Sequence, residues 1–89
     1  IPTEFSMNSA YPNPFNPATT VEFALPVDSK VHISVYDISG HLVSELVNSN
    51  VHAGYHHYTW NASAFVSGIY IVKLQANQFT QVRKVMLIK

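Results

Sequence analysis

Cysteine is absent from the 89 residues, which excludes a disulfide framework and any thiolate metal centre. Charge is scarce as well: Asp, Glu, Lys and Arg make up 11% of the chain, against about 25% in an average globular protein. The five basic and five acidic residues cancel, so neither a polybasic nucleic-acid binder nor a charge-driven disordered segment fits. Three glycines are too few and too scattered to cradle a phosphate. No apolar run is longer than Val85 to Ile88, far short of the roughly 20 residues of a membrane-spanning helix, and no membrane insertion is expected. Helical spacing of apolar residues is not sustained anywhere.

What is present is apolar and aromatic: hydrophobic residues are 47%, with five Phe, five Tyr and one Trp. That is core material for one small domain, read as residues 1–89. The chain opens Ile1-Pro2-Thr3-Glu4 without an initiator Met, a basic segment or an apolar h-region, as expected of a domain belonging to a longer protein.

Apolar residues recur two apart, the period of a half-buried strand. Val21, Phe23 and Leu25 share one face, as do Val31, Ile33 and Val35, and later Tyr70, Val72 and Leu74. Tyr58 and Trp60 form a core-facing row opposite His57 and Thr59. Leu42 to Val47 is β-branched and lies between turn signals, so it too reads as a strand. Turns are expected at Pro26 to Ser29, Asp37 to Gly40, Asn48 through Gly54, Asn61 to Gly68, and Ala76-Asn77-Gln78, where the Asn suits positive φ. With a first strand near Glu4 to Asn8 and a last from Phe79 to Lys89, the reading is all-β: a seven-stranded antiparallel Ig-like β-sandwich without the disulfide of antibody domains.

Tyr11-Pro12-Asn13-Pro14-Phe15-Asn16-Pro17 interrupts the pattern. Its three prolines remove ladder donors and hold their predecessors extended, so it cannot be a central strand. A rigid bend is expected, with Tyr11 and Phe15 tucked onto the edge of the core.

Catalytic and metal chemistry find little support. His56 and His57 point to opposite faces of a strand, so they and His52 make no common metal shell. Asp37, His41 and Ser44 are hydrolase residue types without a nucleophile elbow. No close carboxylate pair exists for acid–base work, and Asp28 and Asp37 each stand alone, without the further carboxylates of an EF-type calcium loop. The domain is read as non-catalytic and without cofactor. Tyr55, Tyr58 and Trp60 leave sugar binding as a minor alternative.

The ten charges are not evenly spread. Through residue 45 there are one Lys and five acids, and after it Lys73, Arg83, Lys84 and Lys89 with no acid. Most of these cations bracket the apolar run in Arg83-Lys84-Val85-Met86-Leu87-Ile88-Lys89. The physical alternatives are a terminal strand with charged gatekeepers against aggregation, or a recognition strand. Such an edge is open to a partner strand, including a second copy of the chain as a homodimer.

Five motifs in order, Tyr11 to Pro17 followed by Ala18-Thr19-Thr20, then Val35-Tyr36-Asp37-Ile38-Ser39-Gly40, Trp60-Asn61-Ala62, Ser67-Gly68-Ile69-Tyr70 and Lys84 to Lys89, cover residues 11–89. In these the chain resembles the C-terminal sorting domains of the type IX (Por) secretion system, a flagellar-hook-cap-like Ig-like family. Val66 departs from the Pro or Ala usual before Ser-Gly.

The resemblance implies a seven-stranded sandwich at the C-terminus of a secreted protein of Gram-negative bacteria. It implies a signal that takes a covalently linked upstream cargo through the periplasm to the outer-membrane translocon. A surface sortase and anionic lipopolysaccharide would be met there, at the cell surface or outside it. The signal would lie in Gly68, Tyr70, Lys84, Val85, Met86, Leu87, Ile88 and Lys89, with Tyr11 to Pro17, Asp37, Gly40 and Trp60 as structural motifs. The competing reading is a structural Ig-like module of a secreted multidomain enzyme such as a glycoside hydrolase.

Overall fold

The computed structural model describes residues 2–89, folded into seven strands and no helix. They are β1 (Ser6–Met7), β2 (Ala18–Leu25), β3 (Ser29–Asp37), β4 (Leu42–Val51), β5 (Gly54–Asn61), β6 (Gly68–Ala76) and β7 (Phe79–Leu87). Two antiparallel sheets face each other, ordered β1-β2-β5 and β4-β3-β6-β7. This is an Ig-like sandwich in which the fourth strand lies beside the third, rather than in the sheet of the first, second and fifth as in constant-type domains.

Period-two alternation builds the core. Val21 and Leu25 on β2, Val31, Ile33 and Val35 on β3, Val72 and Leu74 on β6, and Val85 and Leu87 on β7 are closed to solvent. Each such side chain contributes about 1.5–3 kcal/mol relative to an exposed one. β4 does not alternate, and the register explains why. Ile33 pairs with Val47 but Ser34 with Glu45, and Val35 with Ser44 but Tyr36 with Leu42, so Leu46 and Val43 are extra residues in two bulges. The bulges let Val43, Leu46 and Val47 all pack against the core.

Three expectations need correction. β4 runs on through Asn48, Ser49 and Asn50, because an edge strand needs backbone pairing on one side and can keep polar side chains. The first strand is only Ser6–Met7. It is held from the other sheet by the Arg83 guanidinium, which donates to the Met7 carbonyl, and by Phe5 stacking on Phe79 at 5.4 Å. Tyr11 is not tucked in: it is 77% exposed, whereas Phe15 is 2% exposed.

The β3–β4 turn is set by Asp37 and Gly40. One Asp37 carboxylate oxygen accepts the backbone N–H of Ser39 (2.9 Å) and of His41 (3.0 Å), and Gly40 takes φ +89°, a conformation that side chains disfavour. The His41 N–H, then that of Ser39 and the nearby imidazole, hold the Asp37 carboxyl below its ordinary value of 3.8 against a smaller desolvation effect. A depressed carboxylate stabilises the fold above its unfolded pKa and loses that contribution as pH falls through the folded pKa. Thermal melts of the wild type are therefore expected to fall below about pH 4. Asp37→Asn, which keeps an acceptor oxygen, should flatten that decline, leaving the share of Asp28, whose carboxyl is similarly lowered by the Ala53 N–H.

Candidate functional site

Most of the motif residues converge at one end of the sandwich. Trp60, at the end of β5, is 3% exposed and lies 5.4–5.6 Å, centroid to centroid, from Tyr70, Phe15 and Phe65. An aromatic cluster of this kind gains from tilted and edge-on geometry beyond its burial. Tyr70 satisfies its hydroxyl by donating to the Val66 carbonyl at 2.6 Å. Gly68 starts β6 at φ +156°, with nothing within 4 Å of where a Cβ would stand. Its requirement is thus the backbone conformation and not space. Asp37, Tyr70 and Val85 lie side by side in register, which brings the β3–β4 turn to the same end.

β7 resolves the terminal apolar run by parity. Val85 and Leu87 point inward and are buried, whereas Lys84, Met86 and Ile88 point outward and are exposed. Arg83 belongs with the inward set: besides Met7 it donates to Gln81 Oε1 at 3.0 Å, so it braces the sandwich while Lys84 faces solvent.

The outward backbone edge of this stretch is occupied. Asn13 Nδ2 donates to the Lys84 carbonyl (3.1 Å) and Asn13 Oδ1 accepts the Met86 N–H (2.9 Å). Phe15 N–H then donates to the Met86 carbonyl (2.9 Å), and Ile88 N–H donates to the Phe15 carbonyl (3.0 Å). Each outward backbone group from the Lys84 carbonyl to the Ile88 N–H is paired. The Asn13 side-chain amide supplies the donor and acceptor that a strand residue would, at a place where flanking prolines cannot donate. Thr19, itself buried, secures this strap by donating its hydroxyl to the Pro12 carbonyl at 2.8 Å. A second copy of the chain can add to this part of the edge only after the strap leaves.

Asn13→Ala is expected to cost about 1–2 kcal/mol for its two exposed hydrogen bonds. Amide exchange at Met86 should accelerate about tenfold or more, while Lys73 N–H on β6 stays protected. Light scattering should show concentration-dependent association of this variant.

Beyond β7, Lys89 is tied to the β5–β6 loop. Its N–H donates to Ser67 Oγ at 2.9 Å and its Nζ to the Ser63 carbonyl at 2.6 Å. Between strap and sheet lies a groove of about 290 Å³ lined by Asn13, Pro14, Ile69, Lys84, Val85 and Met86. Ile69 pairs with Met86 and Ile71 with Lys84 on the outer face, so apolar and cationic groups stand together there. Thr19, Ser63, Ser67 and Ile69 were not expected at this site. Thr19, Ser67 and Ile69 do fall within the resemblance motifs, without a role assigned to them there, whereas Ser63 carries no sequence signal.

Other candidates separate. Among the described residues no three His, Asp or Glu side chains gather as metal ligands. His56 stacks on Phe23 at 5.6 Å, and His52 approaches Asp28 at 3.7 Å. Tyr58 is on the inner row but 37% exposed, and Tyr11 pairs with Thr20 of β2 in the same β1-β2-β5 sheet, not in the sheet of β7.

No curated protein matches the chain. A family model described as the secretion system C-terminal sorting domain matches residues 9–89, a span that takes in the strap, the aromatic cluster and the outward face of β7. By that match the chain belongs to the family of type IX secretion system C-terminal sorting domains.

Proposed function

We propose that this domain is a non-catalytic address label, carrying a covalently attached upstream cargo to the type IX translocon and across the outer membrane to the cell surface or beyond. The observation that carries the reading is the division of labour on β7: Val85 and Leu87 are spent on the core, leaving Lys84, Met86 and Ile88 exposed on a fixed backbone. An apolar patch with a cationic rim, immobilised on both sides, suits recognition because little side-chain or backbone freedom is lost on binding. Gly68, Tyr70, Trp60 and the strap act by holding this face in place. Translocon and surface sortase components are its partners.

Deleting Val85 to Lys89 is a poor test, since it also removes two buried core residues. The sharper test changes only the outward side chains, combining Lys84→Glu, Met86→Ser and Ile88→Ser in a reporter fused ahead of the domain in a competent host. Export is expected to fall at least about tenfold, with the melting temperature within a few degrees of wild type. Undiminished export by a folded variant would leave the domain as the structural module of a larger secreted enzyme.

A further inference from the structure

We infer that the outer face of the β1-β2-β5 sheet is a binding site for a neutral polysaccharide, separate from the β7 face. Tyr11 and Tyr55, each 77% exposed, both stand on it. Tyr55 pairs with Ala24, and Tyr11 exchanges two backbone hydrogen bonds with Thr20, which places both rings on the side of the sheet away from the core. Ala24 and Thr20 are four residues apart on β2, and the rings flank that strand on opposite sides. Strand rise and spacing then put the two residues about 16 Å apart, a distance that a run of several pyranose rings spans.

Between the rings the surface is hydroxylic. Beside Tyr55 lies a depression of about 170 Å³ lined by Ser6, Asn8, Glu22 and Ala24, with Phe23 and His56 beneath. Ser6, Asn8 and Glu22 are exposed there. Together they present a hydroxyl, an amide and a carboxylate, the groups that exchange hydrogen bonds with sugar hydroxyls. Further along, the Thr20 and Thr59 hydroxyls are 2.9 Å apart, leaving further capacity for a ligand.

Charge and composition select the occupant. The outward residues of β2 and β5 include one acid, Glu22, and no Lys or Arg, so an anionic polymer is not complemented. They include no Leu, Ile, Val or Met, so the face lacks the dry aliphatic centre of a protein interface. An uncharged ligand with apolar C–H faces and many hydroxyls meets both conditions. The buried Trp60 and the inward row of Tyr58 take no part.

The test is a heteronuclear NMR titration of the whole chain with hexaoses of β-1,4-glucose, β-1,4-xylose, β-1,4-mannose and β-1,3-glucose, with polygalacturonate as the anionic comparison. Shifts are expected for at least one neutral hexaose, confined to the neighbourhood of Ser6, Tyr11, Glu22 and Tyr55. Tyr55→Ala and Tyr11→Ala should each weaken binding about tenfold. Tyr55→Phe, which keeps the stacking ring, should bind within a few-fold of wild type. Both rings are solvent-exposed, so folding is checked by an unchanged melt. No shift with any neutral hexaose, binding indifferent to both alanine variants, or preference for polygalacturonate overturns the assignment.

Discussion

Leu87→Asp is expected to leave the domain largely unfolded at room temperature, while Ile88→Asp, one residue on, folds normally. Leu87 is 1% exposed and Ile88 49%, and only parity on β7 distinguishes them. At position 87 a carboxylate would be placed between the sheets with no cation to meet it, or would take up a proton to remain there. Either course adds a penalty of several kcal/mol to the loss of leucine packing. A small domain of this kind holds about 5–15 kcal/mol in all, so most of the folded population is lost. At position 88 the new carboxylate stays in water. Urea titrations followed by far-ultraviolet circular dichroism would separate them: a flat trace for Leu87→Asp, and a cooperative transition near the wild-type midpoint for Ile88→Asp.

Trp60→Ala should be the other large loss, about 3–5 kcal/mol, corresponding to a fall of roughly 15–30 °C in melting temperature for a chain of this length. Its ring touches Phe15 from the strap, Phe65 from the β5–β6 loop and Tyr70 from β6, so no single element can relax into the cavity without pulling on the other two. The loss should therefore exceed that of Phe65→Ala, whose site is half-exposed. Calorimetry on the two variants gives the comparison directly.

The inward rows of β2 and β3 were legible in the sequence because polar or small residues interrupt the apolar ones, and that of β6 because Lys73 and Gln75 flank Leu74 and set the parity. So was the Ala76-Asn77-Gln78 hairpin, where Asn77 takes φ 54°. In Val85-Met86-Leu87-Ile88 both faces are apolar, and nothing local says which pair is buried. The register against β6 decides it, with Tyr70 opposite Val85 and Gly68 opposite Leu87. The strap was hidden for a different reason. Its prolines announced an irregular segment, but the partner of Asn13 lies 71 and 73 residues further along, beyond the reach of any local pattern. Tyr11 was misplaced because an aromatic residue beside prolines looks like a core anchor, whereas its pairing with Thr20 turns it outward.

The same long-range hydrogen bonds make the fold sensitive to its own completeness. Loop closure over such separations comes late, after the nearer hairpins have formed. A nascent chain that stops before Lys84 has nothing for Asn13 and Phe15 to grip and lacks the valine and leucine that seal the sandwich. A copy truncated there would thus fail to assemble the outward face at all, so the address and the closing of the sandwich are gained or lost together.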